Sequence, residues 1–246
     1  MPYTPLIAAI PLEIPGWIDK LHHIDQQLTL AVNGSDSIFW DNIAYCVTNT
    51  FAWSLVILTL VIIFFRNNDL RGTLLILLAI GLMILVADQL CSGLVKPLVA
   101  RWRPTQDPDI MYQVDIINGY RGGRYGFFSG HACNTMCMAV FLSRLFRFRP
   151  ITITLIIWSL TTTLTRIYLG VHYLGDITVG FIMGIIIGLL FYYIYNKVSV
   201  RLHAPRRMSS EYTETGYEKR DMYSLLAIIF FNYILVLIVA MALGIH

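Results

Sequence analysis

Apolar positions in this chain run together in long blocks instead of following the alternating or amphipathic rhythm of a water-soluble fold. Six blocks stand out, at residues 45–65, 73–95, 127–146, 151–169, 174–196 and 223–246. A helix needs roughly 20 apolar residues to cross the hydrocarbon core of a bilayer, so each block predicts a transmembrane helix. Two polar stretches interrupt the series, at 96–126 and 197–221. Residues 17–32 are patterned differently. Trp17, Leu21, Ile24, Leu28 and Ala31 share one side of a helix, Asp19, Lys20, His23 and Gln26 fall elsewhere, and Asn33-Gly34 marks a turn. That spacing predicts an amphipathic helix lying on the membrane surface. A short apolar patch at residues 6–12 lacks the preceding basic residues of a cleavable signal peptide. The expected fold is an all-α integral membrane protein, with six transmembrane helices in a bundle. The expected divisions are an N-terminal interfacial segment (1–44), a five-span core (45–196), and a loop with an additional helix (197–246).

Composition agrees with the pattern. Of the 246 residues, 57% are hydrophobic and 13% charged, against about 45–50% and 25% in soluble domains. This excludes intrinsic disorder. A net charge of +3 is too small to suggest a nucleic-acid partner. The four cysteines, Cys46, Cys91, Cys133 and Cys137, fit neither zinc-site nor disulfide spacing and read as small buried apolar residues.

Basic residues set the orientation. Eleven lie in the loops on one side: Arg66, Arg71, Arg144, Arg147, Arg149, Lys197, Arg201, Arg206, Arg207, Lys219 and Arg220. The other side holds seven: Lys20, Lys96, Arg101, Arg103, Arg121, Arg124 and Arg166. The positive-inside rule puts the richer side in the cytoplasm and both tails outside. Six of the seven outer basic residues then crowd into the long loop and the end of the fourth span.

Those outer positions carry candidate chemistry. Lys96 ends the second span, Arg103-Pro104 follows in the loop, Ser129-Gly130-His131 opens the third span, and Arg166 lies near the end of the fourth. His172 stands in the next turn, with Asp176 four residues later. Lysine offers a point charge to a phosphate and arginine a planar fork. A helix N-terminus at Ser129 and Gly130 adds free N–H groups and a positive dipole end. The His172–Asp176 spacing lets a carboxylate fix one ring nitrogen and leave the other as a nucleophile. His131 is placed to protonate a leaving oxygen. A single arginine at a span end is ordinarily an interfacial anchor; the convergence of three segments on one membrane depth is what argues for a site.

The series Lys96-x6-Arg103-Pro104, Ser129-Gly130-His131 and Arg166-x5-His172-x3-Asp176 resembles the tripartite signature of the type 2 phosphatidic acid phosphatase family, over roughly residues 26–196. Phe128 stands where the family has proline, and Thr165 where it has serine. The resemblance implies His172 as the nucleophile that forms a phosphohistidine, Asp176 as its orienting partner and His131 as the general acid. It implies Lys96, Arg103, Ser129, Gly130 and Arg166 as phosphate ligands, with no metal and no cofactor. Arg101, Arg121 and Arg124 read equally as contacts to a second phosphate or sugar and as solvated loop charges. Asp88, about two turns before Lys96, is expected to pair with a polar neighbour. The implied protein is a lipid phosphatase of a bacterial inner membrane, with its site facing the periplasm and membrane lipids as its partners. Undecaprenyl diphosphate and a lipid A phosphate lead as substrates; phosphatidylglycerol phosphate and phosphatidic acid are alternatives within the class. A transporter would place its polar residues near the bilayer midplane. A catalytically silent lipid-binding relative would lack some of the chemical side chains.

Overall fold

The computed structural model describes residues 16–202 and 209–243. The apolar patch at 6–12 and the last residues of the predicted sixth span lie outside them. Among the described residues the chain is helical, without strands. Helix α1 spans Gly16–Val32 and α2 spans Ile38–Thr48. A 3-10 turn, Thr50–Trp53, leads into α3, Ser54–Asn67. Helix α4 (Leu70–Asp88) continues through a π-helical stretch, Gln89–Val95, into the one-turn α5 (Lys96–Val99). Four long helices complete the chain: α6 (Gly130–Phe146), α7 (Arg149–Tyr168), α8 (Leu174–Leu202) and α9 (Lys219–Leu243).

Among the described residues, five segments are long and apolar enough to cross a membrane: residues 50–67, 70–99, 149–168, 174–200 and 219–243. The remaining predicted span, α6, has 17 residues and is the most enclosed helix of the bundle. At 1.5 Å per residue it is about 25 Å long. It starts at Gly130, three residues later than the apolar block, because Ser129 caps it: the Ser129 hydroxyl accepts from the Ala132 N–H at 3.4 Å.

Helix α6 packs against α8, α7 and α4. Its closest partner is α8, which presents Gly180, Gly184 and Gly188 at intervals of four. A Cβ at these positions would lie 2.7 Å from the carbonyl oxygens of Ser129, Cys133 and Cys137 respectively. Small residues at this spacing let two backbones approach without burying any long side chain between them. Cys133 and Cys137 are the small residues on the facing side, buried and free, as the sequence suggested. The α6–α7 contact uses hydroxyls instead, with Thr135 Oγ1 2.9 Å from Ser159 Oγ.

One sequence expectation needs correction. The first predicted span is not one helix. Asn49 adopts an extended conformation and its side chain accepts from the Phe51 N–H at 2.9 Å, so the chain breaks there and restarts. The divide at residue 44/45 therefore falls inside α2, which packs on α7 and α9 as part of the bundle. The loop at 96–126 packs onto the bundle, with its apolar residues Ile110, Val114 and Ile117 buried against Tyr173, Leu169 and Val171 around the α7–α8 turn. Helix α1 forms where predicted; its apolar side (Trp17, Leu21, Ile24 and Leu28) is exposed and its buried residues are Gln26 and Thr29. Polar residues dock this helix onto the protein.

Helix α9 runs antiparallel to α2 and α3. Asn42 donates to the Ala240 carbonyl at one end (3.4 Å), and Asn67 donates to Asp221 at the other (2.7 Å). The α6–α8 contact yields a test. Gly184→Ala forces a methyl group into the Cys133 carbonyl and should cost about 1–3 kcal/mol. Gly81→Ala, where a Cβ meets nothing within 4 Å, should be neutral or slightly stabilising. Thermal unfolding of both variants in detergent checks the difference.

Candidate active site

Each predicted phosphate ligand is delivered by a different device. The π-helical stretch Gln89–Val95 precedes Lys96 and changes the face on which it emerges. Lys96 Nζ stands 3.8 Å from where a Cβ on Gly130 would be, at the start of α6. Asp88 finds the partner it was expected to have: Ser92 donates to its carboxylate (3.3 Å), and Lys96 donates to Ser92 (3.5 Å). Arg103 lies beside an isolated backbone bridge between Trp102 and Tyr125 in the loop at 96–126, where Arg103 N–H donates to Arg124 O (3.3 Å) and Gly126 N–H to Arg101 O (2.9 Å). Its guanidinium donates to the Tyr125 carbonyl (3.0 Å) and the Val171 carbonyl (3.3 Å), and lies 3.5 Å from His172 Nε2. Arg166, near the end of α7, donates to Thr48 Oγ1 (2.8 Å) and Tyr120 OH (2.9 Å), while its Nε–H is buried without a partner.

The turn from α7 to α8 carries the nucleophile candidate. Gly170, at φ +63, makes the turn, and its carbonyl accepts from Thr105 N–H (3.1 Å), which docks the outer loop. His172 is 2% exposed and Asp176 fully buried. His172 Nδ1 faces Asp176 Oδ2 at 3.4 Å, and the same oxygen accepts from Tyr173 N–H at 3.1 Å. The i,i+4 spacing thus brings the pair together as predicted, leaving Nε2 toward Arg103. Ser129 N–H donates to the Asp176 carbonyl (2.9 Å), joining the N-termini of α6 and α8. This narrows one expectation. The Ser129 amide and hydroxyl are both used within the protein, so the unpaired first-turn N–H groups are those of Gly130 and His131.

Among the described residues none of Lys96, Arg103 and Arg166 has a carboxylate within ion-pair distance. Their acceptors are carbonyls and hydroxyls. Burial, followed by the neighbouring Arg166 charge, lowers the Arg103 pKa from its ordinary value. Burial also holds the His172 imidazole well below the ordinary histidine range, with Arg103, Arg166, Lys96 and His131 adding to the effect. His172 is therefore neutral near pH 7, as a nitrogen nucleophile must be. Three cations around one neutral imidazole, with helix N–H groups alongside, form a cradle for an anion.

The profile of the PAP2 superfamily matches residues 72–199. This chain belongs to that superfamily. Two relatives are named lipid A 4'-phosphatase. One, from Bacteroides thetaiotaomicron, is 40% identical over 191 residues, covering 76% of this chain and 84% of that protein. The other, from Porphyromonas gingivalis, is 36% identical over 180 residues, covering 72% and 75%. The fold is similar to the crystal structure of a transmembrane PAP2-type phosphatidylglycerolphosphate phosphatase from Bacillus subtilis. The TM-score is 0.55 at 22% identity, over 75% of this chain and 90% of that one.

Within this PAP2 fold several site residues escaped the sequence reading. Thr48 and Tyr120 hold Arg166, yet neither has a neighbour in sequence that would mark it. Arg101 is engaged within the protein. It donates to Asp176 (2.8 Å) and Asp25 (2.8 Å), and its charge lies 4.3 Å from the centre of the Tyr173 ring. Arg124 stacks over Trp102 at 4.6 Å, and Arg121 donates to the Thr105 carbonyl (3.2 Å). His22, Asp107 and Asp109 bring three potential metal-ligating atoms within 4.8 Å of one another. Asp107 is already engaged there by Tyr173 OH and Gln26. The trio lies beside α1, apart from the phosphate cradle.

Gly126 offers a direct test of the dyad. A Cβ there would lie 2.8 Å from Asp176 Oδ2 and 3.6 Å from His172 Nδ1. Displacements of about 1 Å in such groups can cost roughly 100-fold in rate. Gly126→Ala should lose at least about tenfold in phosphate release from p-nitrophenyl phosphate while keeping its melting temperature. Gly123→Ala, with nothing within 4 Å, should match wild type.

Proposed function

We propose that this protein is a membrane lipid phosphatase that removes the 4'-phosphate of lipid A through a phosphohistidine intermediate, at the periplasmic face of a bacterial inner membrane. The observation that carries the reading is the group of three cations around His172 that have no carboxylate partner among the described residues. A buried charge without a counterion is costly, and a phosphate group relieves that cost in the bound state. Two relatives at 36–40% identity that carry the lipid A 4'-phosphatase name support this choice of substrate. The basic bias of the opposite loops supports the orientation.

In this mechanism Lys96, Arg103, Arg166 and the first-turn N–H groups of α6 bind the three non-bridging oxygens. His172 Nε2 attacks phosphorus in line with the sugar oxygen, forming the P–N bond as the P–O bond breaks. His131, at the second position of α6, gives its proton to the departing sugar oxygen. The Nδ1–H of His172 stays on the ring and donates to Asp176, whose carboxylate balances the positive charge that the ring acquires. In the second half, His131 takes a proton from water, the resulting hydroxide attacks phosphorus, and the P–N bond breaks to release inorganic phosphate and neutral His172. The arginines strengthen their hold as charge spreads over the equatorial oxygens, which is where rate acceleration arises.

Purified protein incubated with bis-phosphorylated lipid A should release one phosphate and leave a product bearing only the 1-phosphate, assigned by tandem mass spectrometry. Release from undecaprenyl diphosphate or phosphatidylglycerol phosphate, with lipid A untouched, would move the substrate assignment elsewhere. The two histidines separate by leaving group. His172→Ala should be inactive on every substrate, because it removes the attacking atom. His131→Ala should lose roughly 100-fold or more on lipid A, and much less on p-nitrophenyl phosphate, whose phenolate departs without a proton. Rescue of His172→Ala by the aryl substrate, in place of His131→Ala, would reverse the roles.

A further inference from the structure

We propose that Arg101 is a positioning residue for the His172–Asp176 pair, and that α1 sets its place through Asp25. The inference rests on the reading of His172 as nucleophile given above. It concerns residues outside the tripartite signature, and α1 lies outside the 72–199 match.

The geometry is specific. Asp176 has two carboxylate oxygens with separate duties. Oδ2 faces His172 Nδ1 and accepts from Tyr173 N–H, and Oδ1 accepts from Arg101 Nη1 at 2.8 Å. The second terminal nitrogen of Arg101 donates to Asp25 Oδ2 at 2.8 Å and lies 3.2 Å from His22 Nδ1, both on α1. Asp25 Oδ1 in turn accepts from Gly175 N–H (3.1 Å), in the first turn of α8 next to Asp176. The Tyr173 ring stacks against the guanidinium. One planar cation thus spans two carboxylates and fixes the rotation of the Asp176 side chain, with the imidazole on the other oxygen.

The two carboxylates also divide the charge. An arginine paired with Asp176 alone would cancel much of the negative charge that stabilises the imidazolium-like ring during attack. Asp25 draws part of that positive charge away. Burial opposes the Arg101 charge, but Asp176 and Asp25 together outweigh it and raise its pKa. Arg101 therefore contrasts with Lys96, Arg103 and Arg166. Those cations have no carboxylate partner among the described residues and await an anion, whereas Arg101 is spent within the protein and holds Asp176.

The charged and titratable groups facing His172 are Arg103, Arg166, Lys96, His131 and Asp176. Those facing Arg101 are Asp25, His22, Tyr173 and Asp176. Removing Arg101 takes positive charge from the neighbourhood of His172, so the imidazole protonates more readily. Removing the Asp25 charge leaves Arg101 unbalanced and makes protonation harder. The acid limb of kcat/KM, set by loss of neutral His172, should therefore move to higher pH in Arg101→Gln and to lower pH in Asp25→Asn. Substrate ionisation is common to both. A merely structural contribution would move the two limbs together.

The experiment compares wild type, Arg101→Gln, Arg101→Lys, Asp25→Asn and Gly175→Ala as full chains in detergent, on lipid A and on p-nitrophenyl phosphate. Arg101→Gln should lower kcat by roughly 10- to 100-fold, the usual effect of removing a group that orients a reactive side chain, with KM within about threefold. Arg101→Lys should recover only part of this, because one ammonium cannot replace the fork. A Cβ on Gly175 would stand 2.5 Å from Asp25 Oδ2, so Gly175→Ala should shift the acid limb in the same direction as Asp25→Asn without changing a charge. If Arg101→Gln does not fold, the Asp25 and Gly175 variants carry the test through the direction of their limbs. A kcat for Arg101→Gln within twofold of wild type, limbs that shift together, or unmoved limbs in the Asp25 and Gly175 variants overturn the proposal. Wild-type protein inactive on both substrates overturns the phosphatase reading instead.

Discussion

The structure is organised around a repulsion. Lys96, Arg103 and Arg166 arrive from three segments and converge near His172 without a carboxylate partner for any of them among the described residues. Such a group collapses unless its members are solvated by something that does not neutralise them. The protein uses neutral oxygens for this: the Tyr125 and Val171 carbonyls for Arg103, the Thr48 and Tyr120 hydroxyls for Arg166, and the Ser92 hydroxyl for Lys96. Each acceptor fixes a direction while leaving the charge in place.

Much of the scaffold can be understood as the means of holding those acceptors still. The outer loop is pinned by Ile110, Val114 and Ile117 so that the Tyr125 carbonyl and the Tyr120 hydroxyl stay in reach. The break at Asn49 leaves Thr48 as the last residue of α2, where its hydroxyl meets Arg166. The glycine stripe of α8 brings α6 close, and the Ser129–Asp176 hydrogen bond joins the two helix starts beside His172. Packing in the membrane and chemistry at its surface share these positions.

The residues proposed to bind phosphate were legible in the sequence because their chemistry is unusual at a membrane boundary and their spacings are fixed by short segments. The His172–Asp176 pair needed only one helical turn to be inferred. The supporting residues were hidden for a physical reason. Thr48, Tyr120, Asp25 and Arg101 act across 46 to 150 positions of chain separation, and nothing in their local pattern reports which way they point. Arg101 illustrates this: two residues from Arg103 and of the same type, it serves the opposite purpose, pairing with carboxylates while Arg103 is kept free of them. For α1, periodicity showed the two faces but not the polar contacts by which one of them docks on the protein. Here the polar face docks and the apolar face is left outward, an arrangement that suits a lipid environment.

The π-helical stretch at Gln89–Val95 has a consequence for how this second span can vary. A π turn accommodates one more residue than an α turn while keeping the helix continuous. In effect it is an insertion absorbed without a loop, and everything beyond it is rotated by about 100°, the angular step of one α-helical residue. The register of Lys96 therefore depends on the number of residues between it and Ala87, not only on their character. A one-residue deletion here could preserve an entirely apolar, fully helical span and still turn the lysine away from Gly130. Chain length within the helix is itself part of the anion site.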